Sequence, residues 1–249
     1  MMWAAIAIMV VGLVGMIVCS KKQKTNPAMQ PISIGLFIVV LIGAVLLLID
    51  KGIIGGGSNS VMESELSFLA SRGYAAGDYL KKAVPGKKIL VIAEPNFEKS
   101  NQISTMIEML KKAYGSQDVT VAALQLPASS EDNPQPIEEV MKAKDFDKLT
   151  DQYKDAGVIV SLVGLPKDAA RMKAFQGTPA AKFFLLSIGM ETGKFVQAQM
   201  KKGVVLGAIF PNPKANYEVK APGDPAKAFA IRFILVDKNN LDANKQFFE

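Results

Sequence analysis

Two uncharged apolar stretches, Met1–Cys19 and Ile32–Ile49, open the chain, and beyond Ser60 short apolar runs alternate with amphipathic ones. Each opening stretch is close to the roughly 20 residues that carry a helix across a bilayer core. The second, IGLFIVVLIGAVLLLI, is too continuously apolar for a one-sided amphipathic helix. Between them, Ser20–Pro31 holds Lys21, Lys22 and Lys24 and no acid. Short lysine-rich loops stay cytoplasmic. The pattern therefore predicts a two-helix transmembrane hairpin over residues 1–51 with loop 20–31 inside. The expected protein is integral to the membrane, its N-terminus and C-terminal domain on the extracytoplasmic side. A cleaved leader is the alternative, but nothing basic precedes Trp3, and Val18 is bulky for a lipid-anchor site at Cys19.

Residues 52–60 (GIIGGGSNS) read as a flexible Gly/Ser tether. Over 61–249 the period switches repeatedly between that of a helix and that of a strand. Val61–Val84 has one apolar side and ends at Pro85-Gly86, and Lys88–Ala93 (KILVIA) is the run of a strand buried on both faces. Ser100–Tyr114 is helical with Ser100 as N-cap, and Val119–Leu126 is a strand. After the polar loop Pro127–Pro136 come a helix over Ile137–Tyr153, a strand over Gly157–Val163 and a short helix over Lys167–Phe175. A strand over Lys182–Ile188, a helix over Glu191–Lys201 and strands over Val204–Phe210 and Ala228–Val236 complete the series. Such alternation predicts an α/β domain with a doubly wound, mostly parallel sheet, Rossmann-like or flavodoxin-like. Tyr217–Val219 could pair with the last strand across Pro222-Gly223, giving an antiparallel edge.

Composition narrows the chemistry. Of 29 basic residues only Arg72, Arg171 and Arg232 are arginines, and no basic stripe with interleaved aromatics appears, which argues against nucleic acid as a partner. Histidine is absent, which removes every triad that relies on imidazole. The single cysteine lies in the first apolar stretch, so the usual zinc ligand sets are gone as well. No phosphate loop or EF-hand loop occurs. No catalytic residue, metal site or cofactor is expected, although a carboxylate-only Mg²⁺ or Ca²⁺ site stays open.

In an open α/β sheet, ligands bind beyond the carboxyl ends of the strands. That rule nominates Glu94, Asn96 and Phe97 after the first strand, Glu191 and Thr192 after the fourth, and Asn212 after the fifth. Two carboxylates, amides and one aromatic could hold a small polar ligand with Phe97 stacked on it. The same residue types also serve ordinary strand-to-helix turns.

The runs YLKKAVPGKKILVIAEPNF (Tyr79–Phe97), GVIVSLVGLP (Gly157–Pro166) and AIRFILVDKNNLD (Ala230–Asp242) resemble one lobe of a type I periplasmic solute-binding protein. The resemblance spans roughly residues 75–242. It implies a lobe whose first strand ends near a ligand cleft. In that family two lobes close on the ligand, and this chain has strands for one, so a partner or second copy would supply the other half.

Three functions follow in order. The first is a non-catalytic, membrane-anchored subunit or scaffold of a membrane protein complex. It would meet other membrane proteins through the hairpin, where Gly12, Gly15 and Gly43 allow close helix approach. The alternative is a ligand-binding or sensing module related to the solute-binding proteins, possible as a homo-oligomer. The third, a carboxylate-dependent hydrolase, rests on Glu94 and Glu191 sharing a rim.

Overall fold

The computed structural model describes residues 2–22, 29–50, 57–126, 137–177 and 181–248. It divides into two units, Met1–Ser64 and Glu65–Glu249.

In the first unit the apolar runs form helices α1 (Met2–Lys22) and α2 (Met29–Asp50), which pack on each other through small residues. A Cβ on Gly12 would lie 2.6 Å from Val40 Cγ2, and one on Gly15 would lie 2.9 Å from Leu36 Cδ1. The close-approach role expected of Gly12 and Gly15 is met inside the hairpin itself.

The membrane expectation is corrected here. Among the described residues no helix is long and apolar enough to cross a membrane. Two spans, and the side-of-membrane assignment drawn from the lysines between them, fall together. Of loop 20–31, residues 20–22 belong to α1 and 29–31 to α2, while 23–28 lie outside the described residues, as do 52–56 of the tether.

The next helix, α3 (Gly57–Ala83), takes in the end of the Gly/Ser stretch. In the second unit β1 (Ile89–Ala93), β2 (Val119–Ala123), β3 (Val158–Ser161), β4 (Lys182–Leu185), β5 (Val205–Pro211) and β6 (Phe233–Asp237) form one sheet. Its order is β2-β1-β3-β4-β5-β6. The first five strands are parallel, and β6 runs antiparallel to β5, with Gly207 opposite Asp237 and Pro211 opposite Phe233. The doubly wound sheet with an antiparallel edge is thus as expected.

Burial on both faces explains the continuous apolar runs. One layer joins Ala76 and Leu80 of α3 and Ile107, Leu110 and Tyr114 of α4 (Asn101–Tyr114) to Ile89, Val91, Val158, Val160 and Phe184. The other joins Phe146 and Leu149 of α6 (Ala143–Gln152) and Val196 and Met200 of α7 (Gly193–Lys201) to Leu90, Ile92, Ile159, Phe183, Leu185 and Val205. Among the apolar strand residues, Val121, Leu206 and Ile234 are only half-buried. Val121 and Ile234 sit on the edge strands β2 and β6, where cover is thinner, and Leu206 sits on β5 beside the β6 edge.

Three departures from the expected elements have identifiable causes. Ile137–Tyr153 is broken into α5 (Ile137–Val140) and α6, because Lys142 is extended and its N–H donates to Asp145 Oδ2 at 3.0 Å. Asp168 accepts from Ala143 N at 2.8 Å, so a distant loop fixes where α6 begins. The predicted helix Lys167–Phe175 is two 3₁₀ turns, Ala169–Arg171 and Lys173–Phe175. The predicted strand Ala228–Val236 is half helix: α8 (Pro225–Arg232) is started by Asp224, which accepts from Ala226 N and Lys227 N, with Pro225 at the first helical position. Tyr217–Val219 is not a strand, so β5 takes the place expected of it beside β6.

Candidate functional site

The strand order fixes the place to look. The chain leaves β1 toward β2 on one side and returns past it to β3 on the other, so the switch point lies between the carboxyl ends of β1 and β3. There the backbone is drawn tight. Leu162 N donates to Ile92 O at 2.9 Å, and Leu186 N donates to Ser161 O at 2.9 Å. Gly164 turns with φ +76°, and the buried Ser161 hydroxyl donates to its carbonyl at 2.6 Å.

The nominated residues divide by what their side chains already do. Glu94 is half-buried just past β1, and Asn96 is exposed in the left-handed region at φ 58°, a conformation asparagine tolerates better than most residues. Phe97 is half-buried against the α3/α4 layer, and its carbonyl accepts from Ser100 N at 3.0 Å. Part of its ring is therefore committed to packing. Ser100 caps α4 as expected, accepting from Ile103 N at 3.4 Å.

Thr192 is buried, and its hydroxyl donates to Gly189 O at 2.9 Å. Asn212 bridges the β5–α8 connection: its amide donates to Ile231 O at 3.3 Å and its Oδ1 accepts from Lys214 N at 3.0 Å. Both side chains hold local turns. Glu191 is 65 % exposed and pairs at 3.2 Å with Lys167, 51 % exposed, linking the loops after β3 and β4. That pairing removes the two-carboxylate hydrolase reading, since Glu191 is a solvated ion-pair partner. Strand β3 also stands between β1 and β4, which puts the strands carrying Glu94 and Glu191 roughly 10 Å apart at about 4.8 Å per spacing.

Two rim residues were not nominated from the sequence. Lys167 follows the Gly164–Pro166 turn by one position. Arg72 projects from α3 to the end of β4, where Nη2 donates to Leu186 O and the guanidinium carbon lies 5.3 Å from the centre of the Phe233 ring. Burial pushes its pKa below the usual guanidinium value. A signal existed: in a lysine-rich chain with three arginines, Arg72 and Arg232 are the two that go inside.

Hollows flank the rim and the opposite edge. One of about 350 Å³, lined by Lys142, Ala143, Lys144, Asp147, Asp168 and Arg171, opens where α6 starts. Asp168 and Asp147 are both engaged there, the latter accepting from Lys173 N at 3.0 Å. Another of about 340 Å³ lies at the amino ends of β3 and β4, walled by Tyr153, Ile159 and Ala181 and by the Lys173–Asp151 pair at 2.7 Å. No cluster of metal-ligating side chains occurs among the described residues.

No protein-family model matches the chain, and no curated protein matches it. Among solved structures it is similar to GanP, a glucose-galactose binding protein from Geobacillus stearothermophilus, at 13 % identity and a TM-score of 0.46, covering 70 % of this chain and 61 % of that one. A carbohydrate transporter from Acidothermus cellulolyticus in complex with myo-inositol gives 15 % identity and a TM-score of 0.47, covering 73 % and 61 %. A substrate-binding protein of a sugar ABC transport system from Bordetella parapertussis gives 16 % and 0.45, covering 72 % and 59 %. The chain thus spans about three fifths of the length of these structures.

Proposed function

We propose that residues 65–249 form a non-catalytic module that binds a small polar ligand at the carboxyl rim of the sheet. One observation carries the reading: the crossing-over of the chain at β1 brings the loops of Glu94–Phe97 and Leu162–Lys167 to the switch point of the sheet, where open α/β sheets bind ligands. Asn96 is exposed there and its side chain makes no hydrogen bond among those described, while Lys167 and Glu191 offer a donor and an acceptor already set in an ion pair. Asn212 and Thr192, occupied by their own turns, act as supports of the rim. A second copy or another chain closing over the rim would complete the site.

Thermal melts of the full chain against glucose, galactose, myo-inositol and a wider metabolite panel test the reading. A true ligand at 100 Kd raises stability by about 2.7 kcal/mol, and Asn96→Ala removes the shift. A panel that leaves the melting temperature unmoved throughout would sink the reading.

A further inference from the structure

Two arginines lie along the α3 side of the sheet, and their surroundings differ in one respect. Arg232, with a side chain 4 % exposed, has a countercharge: Nη2 is 2.9 Å from Glu65 Oε1. It also donates to Tyr217 O at 3.1 Å and lies between the Phe68 and Tyr217 rings, 4.1 and 4.3 Å from their centres. Every feature of that site is structural. Arg72 takes part in none of the ion pairs among the described residues. Its Nε, like that of Arg232, is buried without a partner; what sets Arg72 apart is that Nη2 reaches only the Leu186 carbonyl and one ring face, Phe233, lies beside it. Yet the residue keeps some exposure, and both neighbours are at the carboxyl rim: Leu186 follows β4 and Phe233 begins β6 opposite Pro211, the last residue of β5.

A charge that is mostly withdrawn from water and has no countercharge is unfavourable unless something outside the chain supplies one. The planar guanidinium favours a two-pronged acceptor, a carboxylate or a phosphate, over a hydroxyl. From this we infer that Arg72 is the anion-binding residue of the rim and that the ligand carries an oxyanion. The inference rests on the ligand-binding reading above and narrows its ligand class. It also separates the roles of the two arginines: Arg232 holds the fold, and Arg72 is kept for what binds.

The test uses the full chain at constant ionic strength, titrated calorimetrically with inorganic phosphate, malonate, glucose and myo-inositol. Phosphate or malonate is expected to bind wild type. Arg72→Met is expected to weaken that binding at least tenfold, and Arg72→Lys, which keeps the charge but loses the fork, to weaken it less. The ligand-free Arg72→Met chain loses the Leu186 hydrogen bond and the Phe233 contact but no ion pair, so its binding is compared with wild type at a temperature where both chains are folded. If Arg72→Met fails to fold, the ¹⁵N–¹H signal of Arg72 Nε decides. Assigned by its loss in Arg72→Lys, it should move as phosphate is added to wild type, and a stationary signal overturns the inference. Equal anion affinity in wild type and Arg72→Met overturns it too. Binding of the neutral compounds alone overturns it while leaving the ligand-binding reading in place, and no binding by any probe removes both.

Discussion

Replacing Gly73 by alanine sets two effects of known sign against each other. In an isolated helix the change is favourable by about 1 kcal/mol, since glycine is the weakest helix former after proline. In this fold α3 and α4 approach backbone to backbone at that point. A Cβ on Gly73 would run into the Met106 carbonyl oxygen and lie 2.8 Å from its carbon and 3.1 Å from its Cα. These are main-chain atoms of a helix and cannot turn aside as a side chain would. One turn on, a Cβ at Gly77 would be 2.6 Å from Leu110 O and 2.8 Å from Ala113 Cβ, so the helices cannot pivot about that point to make room. They must separate, which thins the contacts of Ala76 and Leu80 with the α4 residues Ile107, Leu110 and Tyr114. Overpacking of this kind costs about 1–3 kcal/mol, and a main-chain obstacle puts Gly73 at the upper end. The net loss expected for Gly73→Ala is then about 2 kcal/mol, or roughly 4–8 °C in melting temperature for a unit of this size. Urea unfolding followed by far-UV circular dichroism measures it. A Gly73→Ala chain as stable as wild type, or more so, would refute the close packing of α3 on α4.

Two other changes probe different parts of the same unit. Arg232→Met leaves Glu65, 47 % exposed, free to return to water, so the cost comes mainly from two lost ring contacts at about 0.5–2 kcal/mol each; a drop of about 1–4 kcal/mol in chemical denaturation is expected, and none would mean that the clamp is idle. Tyr79 donates to Leu206 O at 3.0 Å, and burial, then the nearby Asp237 carboxylate, raises its pKa from 10.0 to about 12. Its neutral form is favoured in the folded state, so its stabilisation is whole below pH 10 and is lost as pH climbs toward 12. Urea midpoints at pH 9 and pH 11 should diverge less for Tyr79→Phe than for wild type, and an unchanged divergence would remove Tyr79 from the account.

The strands and the order in which they alternate with helices were legible in the sequence because burial on both sheet faces leaves continuous apolar runs such as KILVIA and KFFLLSI. The Ser100 cap and the general location of the rim were legible for the same kind of reason: they depend on neighbours in the chain. Element boundaries failed where a distant group decided them. Asp168 helps to set the start of α6 from 25 residues away, beside the local Lys142–Asp145 contact, and that distant share cannot be read within 137–153. The apolar run through Ala228–Val236 holds two structures at once, and its local start signal, Asp224-Pro225, lies just before the run, where hydrophobicity alone does not show it.

What the sequence determined by itself was the chemistry at hand: no imidazole, no thiol beyond the first apolar stretch, two carboxylates and two amides at strand ends, and three arginines among many lysines. Only the tertiary structure decided which of these groups were still free. It spent Thr192 and Asn212 on turns, put Glu191 in an ion pair and gave Arg232 a carboxylate while leaving Arg72 with none. Hydrogen bonds and countercharges join residues far apart in the chain, so whether a polar group is satisfied is a property of the fold and cannot be read from its neighbours in sequence.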